Sequence, residues 1–325
     1  MQPSTSPVIQ AEGLTRAFDD RLAVHDLTFA VAPGTILGLI GPSGSGKTTT
    51  VRMLAGTLEP TDGHVQVMGE DPMRFSRATR QQLAYMPQLT GLYPELTAKE
   101  NVGFVAALYG IGMFRRGRAV KRSLELVDLW PARNRLMRDL SGGMQRRLEL
   151  ACALVHDPLL LFIDEPTAGI DPILRGSIWE ELRRLREEGR TLVVTTQYVA
   201  EAEECDTVAL ITDGELVALD APENLRRLAY GGDVLEVETS AWVDPQSLGR
   251  IGGLVSVRQP EPTRLVVVAD DAAAASPRIV ELLRGSQVEV IRIAEYRPSF
   301  DEAFELLVGG WRAARASEHP ADAAA

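Results

Sequence analysis

The sequence predicts an α/β protein followed by a smaller α+β domain, and three observations support this prediction. The apolar run at residues 35–40 opens into a glycine-rich turn, which is the pattern of a strand, a loop and a helix. Two more continuous apolar runs, at 159–163 and 192–196, are typical of strands buried on both faces of a parallel sheet. The pattern then changes near Gly231 and Gly232, where short strand-like runs begin. A length of 325 residues suits about two domains.

The remaining elements of the larger domain follow from local patterns. Residues 24–31 half alternate between apolar and polar and end at a Pro-Gly turn, which predicts a hairpin strand. Residues 98–155 carry periodic Leu, Val and Met, which predicts a helical insertion in the α/β core.

The second domain is predicted over residues 233–310. Within it, Pro277 after Ser276 predicts the start of a helix, because proline suits the first helical position. Ser299 followed by Glu302 predicts a capping box that opens the last helix. The alanine-rich segment 311–325 is expected to be a disordered tail.

The net charge, the cysteine count and the N-terminal sequence argue against several classes of function. The net charge of −11 argues against a nucleic-acid partner, since proteins that bind phosphate backbones are usually basic. Two cysteines are too few for a disulfide framework or a four-cysteine zinc site, which fits a reducing compartment. The N-terminal sequence does not resemble a signal peptide, and no segment is predicted to cross a membrane. If the protein serves a membrane, we expect it to act as a peripheral subunit.

The glycine-rich turn matches the phosphate-binding P-loop pattern G-x-x-x-x-G-K-[ST]. Glycines let successive backbone N–H groups turn toward one anion, and the following helix adds its positive dipole end. We expect Lys47 to reach the β- and γ-phosphates of ATP and Thr48 to bind Mg²⁺. The alternative is a chance glycine-rich turn, which the flanking strand and helix disfavour. The predicted ATP-binding residues of this loop are Gly41, Pro42, Ser43, Gly44, Ser45, Gly46, Lys47, Thr48 and Thr49.

A buried strand that ends in two carboxylates is the usual companion of a P-loop. Here the run at 160–163 ends in Asp164 and Glu165. We expect Asp164 to hold the Mg²⁺ shell and Glu165 to act as the general base on the attacking water. Alternatively, Glu165 merely occupies the next turn.

A third motif, Leu140-Ser-Gly-Gly-Met-Gln145, resembles the signature of ATP-binding cassette (ABC) ATPases. Ser141 is also a good helix N-cap, and the two interpretations are compatible because a capped helix N-terminus is an anion site. Three further matches to the family occur in the family's order. Gln88 resembles the Q-loop glutamine that contacts Mg²⁺, Asp171 resembles the D-loop aspartate, and Phe18 resembles the aromatic residue that stacks on adenine. The resemblance assigns ATP binding to Phe18, Gln88, Ser141, Gly142, Gly143 and Asp171, and metal binding to Thr48, Gln88 and Asp164.

The resemblance covers residues 8–230 and implies a P-loop NTPase fold. It implies an ABC ATPase core with an antiparallel β subdomain and a helical subdomain, followed by the small C-terminal α+β domain.

One position departs from the family pattern. The family expects a switch histidine soon after the strand that ends at Thr196, and Gln197 stands there instead. Glutamine can donate a hydrogen bond to the γ-phosphate but cannot become a cation. Either the site is degenerate, or the chain is similar to the daunorubicin-type exporter ATPases, which often carry this glutamine. The segment Arg297-Pro-Ser-Phe-Asp-Glu-Ala-Phe304 resembles the C-terminal segment of the same exporters. We therefore assign Gln197 a catalytic role beside Glu165.

The resemblance implies an ATP-hydrolysing subunit that powers drug, lipid or antibiotic export through a separately encoded membrane permease. It implies a homodimer that sandwiches ATP between the P-loop of one chain and the signature of the other, peripheral on the cytoplasmic side of the cell membrane. The alternatives are the ATPase of an importer, a soluble ABC ATPase outside transport, and a nucleotide-binding regulator that does not hydrolyse ATP. Importers usually keep the switch histidine, and the retained Glu165 argues against the regulator.

Overall fold

The computed structural model describes residues 6–19, 21–88 and 91–318. It divides into two compact units between Leu219 and Asp220. The predicted boundary lay at residues 230–233, so the helix before it belongs to the second unit. In that unit Tyr230 donates a 3.0 Å hydrogen bond to Glu302, and Arg227 forms an ion pair with Asp233.

The first unit contains nine strands and six helices among its described residues. The strands are β1 (Ile9–Phe18), β2 (Arg21–Val31), β3 (Ile36–Ile40), β4 (Asp62–Val67), β5 (Leu83–Met86), β6 (Leu160–Asp164), β7 (Thr191–Thr196), β8 (Thr207–Thr212) and β9 (Glu215–Asp220). The helices are α1 (Lys47–Leu54), α2 (Arg77–Arg80), α3 (Ala98–Leu108), α4 (Met113–Leu126), α5 (Gly142–Leu154) and α6 (Pro172–Glu187).

The central sheet has the strand order β5-β6-β7-β3-β8-β9. Strands β5, β6, β7, β3 and β8 pair in parallel. Strands β3, β6 and β7 are buried along their whole length, as continuous apolar runs require in a sheet covered on both faces. Because these strands run parallel, their carboxyl ends lie at the same edge of the sheet. Ligands bind at this edge in open α/β folds.

A separate antiparallel sheet has the order β2-β1-β4 and corresponds to the predicted β subdomain. Its middle strand β1 pairs through Ile9 with Val31 on one side and with Val67 on the other. All three side chains are buried and belong to one core with residues of the central sheet, including Leu39 and Phe162.

The predicted helical insertion is present as α3, α4 and α5. Helix α3 begins with a capping box, in which Thr97 and Glu100 satisfy each other's backbone N–H groups. Helix α5 begins after Ser141, whose hydroxyl accepts a 3.4 Å hydrogen bond from the Met144 N–H.

Among the described residues, the second unit is an antiparallel sheet with three helices, which agrees with the α+β class that the sequence predicts. The strands are β10 (Asp233–Thr239), β11 (Leu254–Glu261), β12 (Arg264–Ala269) and β13 (Val290–Glu295), in the order β11-β12-β10-β13. The helices are α7 (Pro222–Tyr230), α8 (Ala272–Gly285) and α9 (Phe300–Glu318). The core contains Val237 of β10, Leu265 of β12 and Ile279 of α8, each fully buried.

Two predictions for this unit are wrong. Helix α8 begins at Ala272, five residues before Pro277, because the Asp271 side chain caps it by accepting a 3.0 Å hydrogen bond from the Ala274 N–H. The disordered tail does not begin at residue 311, because α9 continues to Glu318. Alanine is the best helix former, so an alanine-rich end extends a helix that is already nucleated. Residues 319–325 lie outside the described residues.

Within the described residues, no helix is both long enough and apolar enough to span a membrane.

Candidate functional site

The glycine-rich loop joins the carboxyl end of β3 to the start of α1, at the edge of the central sheet. Gly46 has a φ of +100°, a left-handed conformation that favours glycine. A Cβ atom on Gly46 would lie 2.5 Å from the Ala23 carbonyl oxygen. A Cβ on Gly41 would lie 1.9 Å from the Ile211 carbonyl oxygen, since β8 runs beside β3. Both glycines are therefore required by the backbone geometry of the loop.

Lys47 is the first residue of α1 and its side chain is buried inside the loop. The Nζ atom donates 2.8 Å hydrogen bonds to the carbonyl oxygens of Gly41 and Pro42. Burial lowers the pKa of the ammonium group, while the nearby charges of Glu165 and Asp164 act in the opposite direction. The loop therefore holds a cation beside two carboxylates, at the position where the sequence predicts phosphate binding.

Asp164 ends strand β6 and is fully buried. One of its oxygens, Oδ1, accepts hydrogen bonds from Thr48 at 3.0 Å and from Thr195 at 2.5 Å. Throughout the described part of the chain, no donor lies within hydrogen-bonding distance of the buried Oδ2 atom. A buried carboxylate oxygen needs a partner, and oxygen ligands are those that Mg²⁺ prefers. Asp164 and Thr48 therefore fit the Mg²⁺ that the sequence predicts.

Glu165 follows in a left-handed backbone conformation, with a φ of +48°. Its N–H donates to the Thr195 carbonyl oxygen at 3.1 Å and hydroxyl oxygen at 2.9 Å, which holds this turn against β7. The Gln88 side chain, which follows β5, donates a 2.8 Å hydrogen bond to the Glu165 carboxylate. The structure therefore brings together Gln88 and Glu165, which are 77 residues apart in the sequence.

Gln197 follows β7 directly, at the same edge of the sheet. The carbonyl oxygen of Thr196, the residue before it, accepts a 3.4 Å hydrogen bond from the Gly41 N–H at the start of the loop. The Gln197 side chain is exposed, so it is accessible to a nucleotide. Its catalytic role stays a prediction.

The other predicted residues lie away from this edge or on its surface. Ser141 and Gly142 are exposed at the start of α5, whereas Gly143 is buried, and a Cβ there would meet Leu174 of α6 at 2.6 Å. Asp171 accepts a 3.1 Å hydrogen bond from the Leu174 N–H at the start of α6.

Phe18 ends β1 with 41% of its surface exposed, and the Arg16 guanidinium lies 4.6 Å from its ring centre. An exposed ring of this kind is available for stacking, and its contact with adenine stays a prediction.

Comparisons with known proteins agree with this geometry. The chain is 36% identical to the Nod factor export ATP-binding protein I of Rhizobium sp. (strain N33), in an alignment that covers 93% of the chain and 97% of that protein. The family profile described as "ABC transporter" matches residues 24–168. The chain belongs to the ABC transporter family. It is also 34% identical to the daunorubicin/doxorubicin resistance ATP-binding protein DrrA of Streptomyces peucetius, over 99% of the chain and 96% of that protein. The predicted resemblance to the daunorubicin-type ATPases is confirmed.

A longer ABC relative and two solved structures complete the comparison. The probable multidrug ABC transporter ATP-binding protein YbhF of Escherichia coli (strain K12) is 40% identical over 67% of the chain, which spans only 38% of that protein. The solved structure of an ATP-binding subunit of an ABC transporter matches 68% of the chain and 92% of its own length, with a TM-score of 0.61 and 27% identity. A dimeric post-hydrolysis structure of the ATP-binding cassette MJ0796, bound to ADP and Pi, matches 66% of the chain and 98% of its own, with a TM-score of 0.60 and 25% identity. The predicted ABC ATPase fold is confirmed.

Two residues of this ABC site were missed by sequence reasoning. Thr195 supports both Asp164 and Glu165, yet a threonine in a strand looks like any β-branched strand residue. Arg146 of α5 contacts the backbone around Glu165, yet it stands in an arginine-rich helix beside Arg147. Only the three-dimensional contacts distinguish these two residues from their neighbours.

Proposed function

We propose that this chain hydrolyses ATP to ADP and phosphate and thereby powers export through a separately encoded membrane permease. The observation that carries the proposal is the convergence of Lys47, Asp164 and the Gln88–Glu165 pair at one edge of the central sheet. This arrangement combines a phosphate-binding cation, a metal-binding carboxylate and a general base. Similarity to the ATP-binding proteins of Nod factor export and daunorubicin resistance supports the transport direction.

In the proposed reaction, Lys47 exchanges its bonds to the loop carbonyls for bonds to the β- and γ-phosphate oxygens. Gln88 orients the Glu165 carboxylate, which takes a proton from the attacking water. The water oxygen then bonds to the γ-phosphorus as the bond to the bridging oxygen of ADP breaks. Gln197 donates a hydrogen bond to the γ-phosphate. Mg²⁺, held by Thr48 and Asp164 with Gln88 nearby, would neutralise the charge that develops on the phosphate oxygens.

We further propose that the chain works as a homodimer, peripheral on the cytoplasmic side of the cell membrane. Each ATP would lie between the P-loop of one copy and Ser141, Gly142 and Gly143 of the other. The exposure of Ser141 at the N-terminus of α5 supports this arrangement, because the helix start then presents its N–H groups to a partner. The dimeric structure of the MJ0796 cassette supports it by similarity.

The test uses the Glu165→Gln variant, which keeps the size of the side chain and removes the base. We expect normal ATP binding and a decrease in phosphate release of about 10²- to 10⁴-fold, the usual contribution of a general base. Glu305→Gln, on the exposed face of α9, is the matched control and should keep wild-type turnover. Wild-type turnover in Glu165→Gln would overturn the assignment.

The proposed transport function must be tested together with the membrane permease. We expect a multi-spanning membrane protein to co-purify with the chain from its native membranes and to raise its ATP turnover. Substrate accumulation inside inverted vesicles would indicate export. Accumulation in right-side-out vesicles would indicate import and contradict the proposal.

A further inference from the structure

Arg146, in the second turn of α5, directs two of its three guanidinium nitrogens to the end of strand β6. Nη2 donates to the carbonyl oxygens of Asp164 at 2.7 Å and Glu165 at 2.8 Å, and Nε donates to the carbonyl oxygen of Pro166 at 3.1 Å. Three successive carbonyl groups are therefore held by one side chain, which is only 11% exposed.

The same guanidinium reaches the segment that carries Gln88. Its Nη1 atom donates to the Pro87 carbonyl oxygen at 3.3 Å and to the Glu149 carboxylate at 2.5 Å. The Gln88 side chain in turn donates to Glu165. Arg146 thus holds the backbone on both sides of the Gln88–Glu165 pair, while Glu149 neutralises its charge.

These contacts matter because the chain leaves strand β6 through a left-handed turn at Glu165, whose N–H donates to the Thr195 carbonyl oxygen. The Ala168 N–H donates to the Glu165 carbonyl oxygen at 3.3 Å, and Arg146 supplies donors to the carbonyl oxygens of Asp164 and Pro166 as well. The planar guanidinium has five donors in a fixed fork, whereas lysine has a single ammonium centre. Arginine is therefore the residue that can hold several divergent carbonyls at once.

We propose that Arg146 is a positioning residue for ATP hydrolysis. It fixes the backbone that presents Glu165 and Gln88, and it connects that backbone to α5, whose N-cap is Ser141. The proposal rests on the proposed ATPase function, and Arg146 itself contacts no reacting atom.

A purely structural role of Arg146 and a positioning role of Arg146 predict different results. If Arg146 only stabilised the fold, its loss would lower the melting temperature without acting specifically through Glu165. If it positions Glu165, its loss should lower kcat and leave the KM for ATP nearly unchanged. Misplacing a catalytic group by about 1 Å can decrease the rate about 10²-fold.

The experiment measures phosphate release by the full chain for wild type, Arg146→Met, Arg146→Lys and the control Arg147→Met. Each Arg146 variant also carries Glu149→Gln, so that no buried carboxylate is left without its cation. Arg147 is the next residue of α5 and donates to Ser177 of α6 instead. We expect kcat to fall about 10²-fold in Arg146→Met, less in Arg146→Lys, and little in Arg147→Met. The Glu149→Gln single variant is the reference against which these double variants are compared.

A double-mutant cycle with Glu165→Gln decides between the two roles. If Arg146 acts through Glu165, its loss has less than about a twofold effect once the base is gone, because the two effects are not additive. If the full fold-change persists in the Glu165→Gln background, the positioning role is overturned. If Arg146→Met does not fold, the same cycle is measured with Arg146→Lys. A failure of the proposed function is distinguishable, since it would show as absent turnover in wild type.

Discussion

The hydroxyl of Thr195 on β7 and the carboxylate of Asp164 on β6 lie 2.5 Å apart, and the same hydroxyl accepts the Glu165 N–H. One threonine therefore orients the carboxylate that we propose binds Mg²⁺ and the residue that we propose acts as the general base. Because Thr195 and Thr48 both donate to Oδ1 of Asp164, Oδ2 is the oxygen that we propose binds Mg²⁺.

Thr195→Val removes this hydroxyl at nearly constant volume, and we expect a higher Mg²⁺ requirement. Partners that orient a metal ligand contribute about 10- to 100-fold to metal affinity, so the free Mg²⁺ at half-maximal turnover should rise by about this factor. The measurement is phosphate release against free Mg²⁺, together with the Mg²⁺ dependence of thermal stabilisation by ATP. Thr196→Val, whose hydroxyl instead accepts the Tyr198 N–H, is the matched control. An unchanged Mg²⁺ dependence would contradict the role of Thr195.

Lys47→Ala should abolish ATP binding or turnover, because Lys47 is the cationic residue within the P-loop residues 41–49. ATP binding is measured by titration calorimetry and turnover by phosphate release. Lys121→Ala removes an exposed lysine of α4 and should leave both unchanged. Wild-type affinity with unchanged turnover in Lys47→Ala would rule out the P-loop assignment.

Ser141→Arg should stop turnover by blocking the site that Ser141 completes on the opposite chain. The homodimer makes a sharper prediction for a mixture of Ser141→Arg and Lys47→Ala chains. Half of the dimers are then mixed and each has one intact site, so about a quarter of wild-type turnover should return. If both motifs served the same chain, mixing two inactive variants would restore nothing.

Gln197→Ala should lower turnover well below wild type, since the γ-phosphate loses a hydrogen-bond donor, whereas Gln197→His should retain activity. Glutamine does not titrate, so the wild type should lack the dependence near pH 6.5 that a switch histidine can introduce. Phosphate release between pH 5.5 and 8.5, at fixed nucleotide and lipid, tests both points. Equal turnover of Gln197→Ala and wild type would mean that the glutamine is a passive replacement.

The two buried cysteines should resist thiol reagents in the native protein. Burial raises the pKa of Cys152 to about 12 and also raises the pKa of Cys205, so both thiols stay protonated at pH 8. We expect negligible colour from a disulfide reagent in buffer and reaction of both thiols in urea. A fast native reaction that persists in Cys152→Ser would identify Cys205 as accessible and contradict its burial.

The parts of the site that depend on chain-local chemistry could be predicted from sequence. The loop around Lys47 and the strand before Asp164 each carry their own signal, because glycine spacing and a continuous apolar run have direct physical causes. The helix cap at Ser141 could also be predicted, because it depends on Met144, only three residues further along the chain.

The parts that depend on distant contacts could not be predicted in this way. Thr195 and Arg146 gain their roles only from strands and helices that meet in space. The start of α8 shows a competition between local signals, in which the Asp271 cap and four alanines prevail over the preference of Pro277 for the first turn.

The position of β3 in the middle of the central sheet also bears on how the protein is made. Its two neighbours, β7 and β8, begin at Thr191 and Thr207, far along the chain from Ile40. During synthesis, the P-loop strand therefore leaves the ribosome long before either of its hydrogen-bonding partners exists. Contacts of such long sequence separation form slowly, so the nucleotide site is among the last parts of its unit to close. A chain that stops before Thr191 carries a complete P-loop motif but neither of the strands that pair with β3.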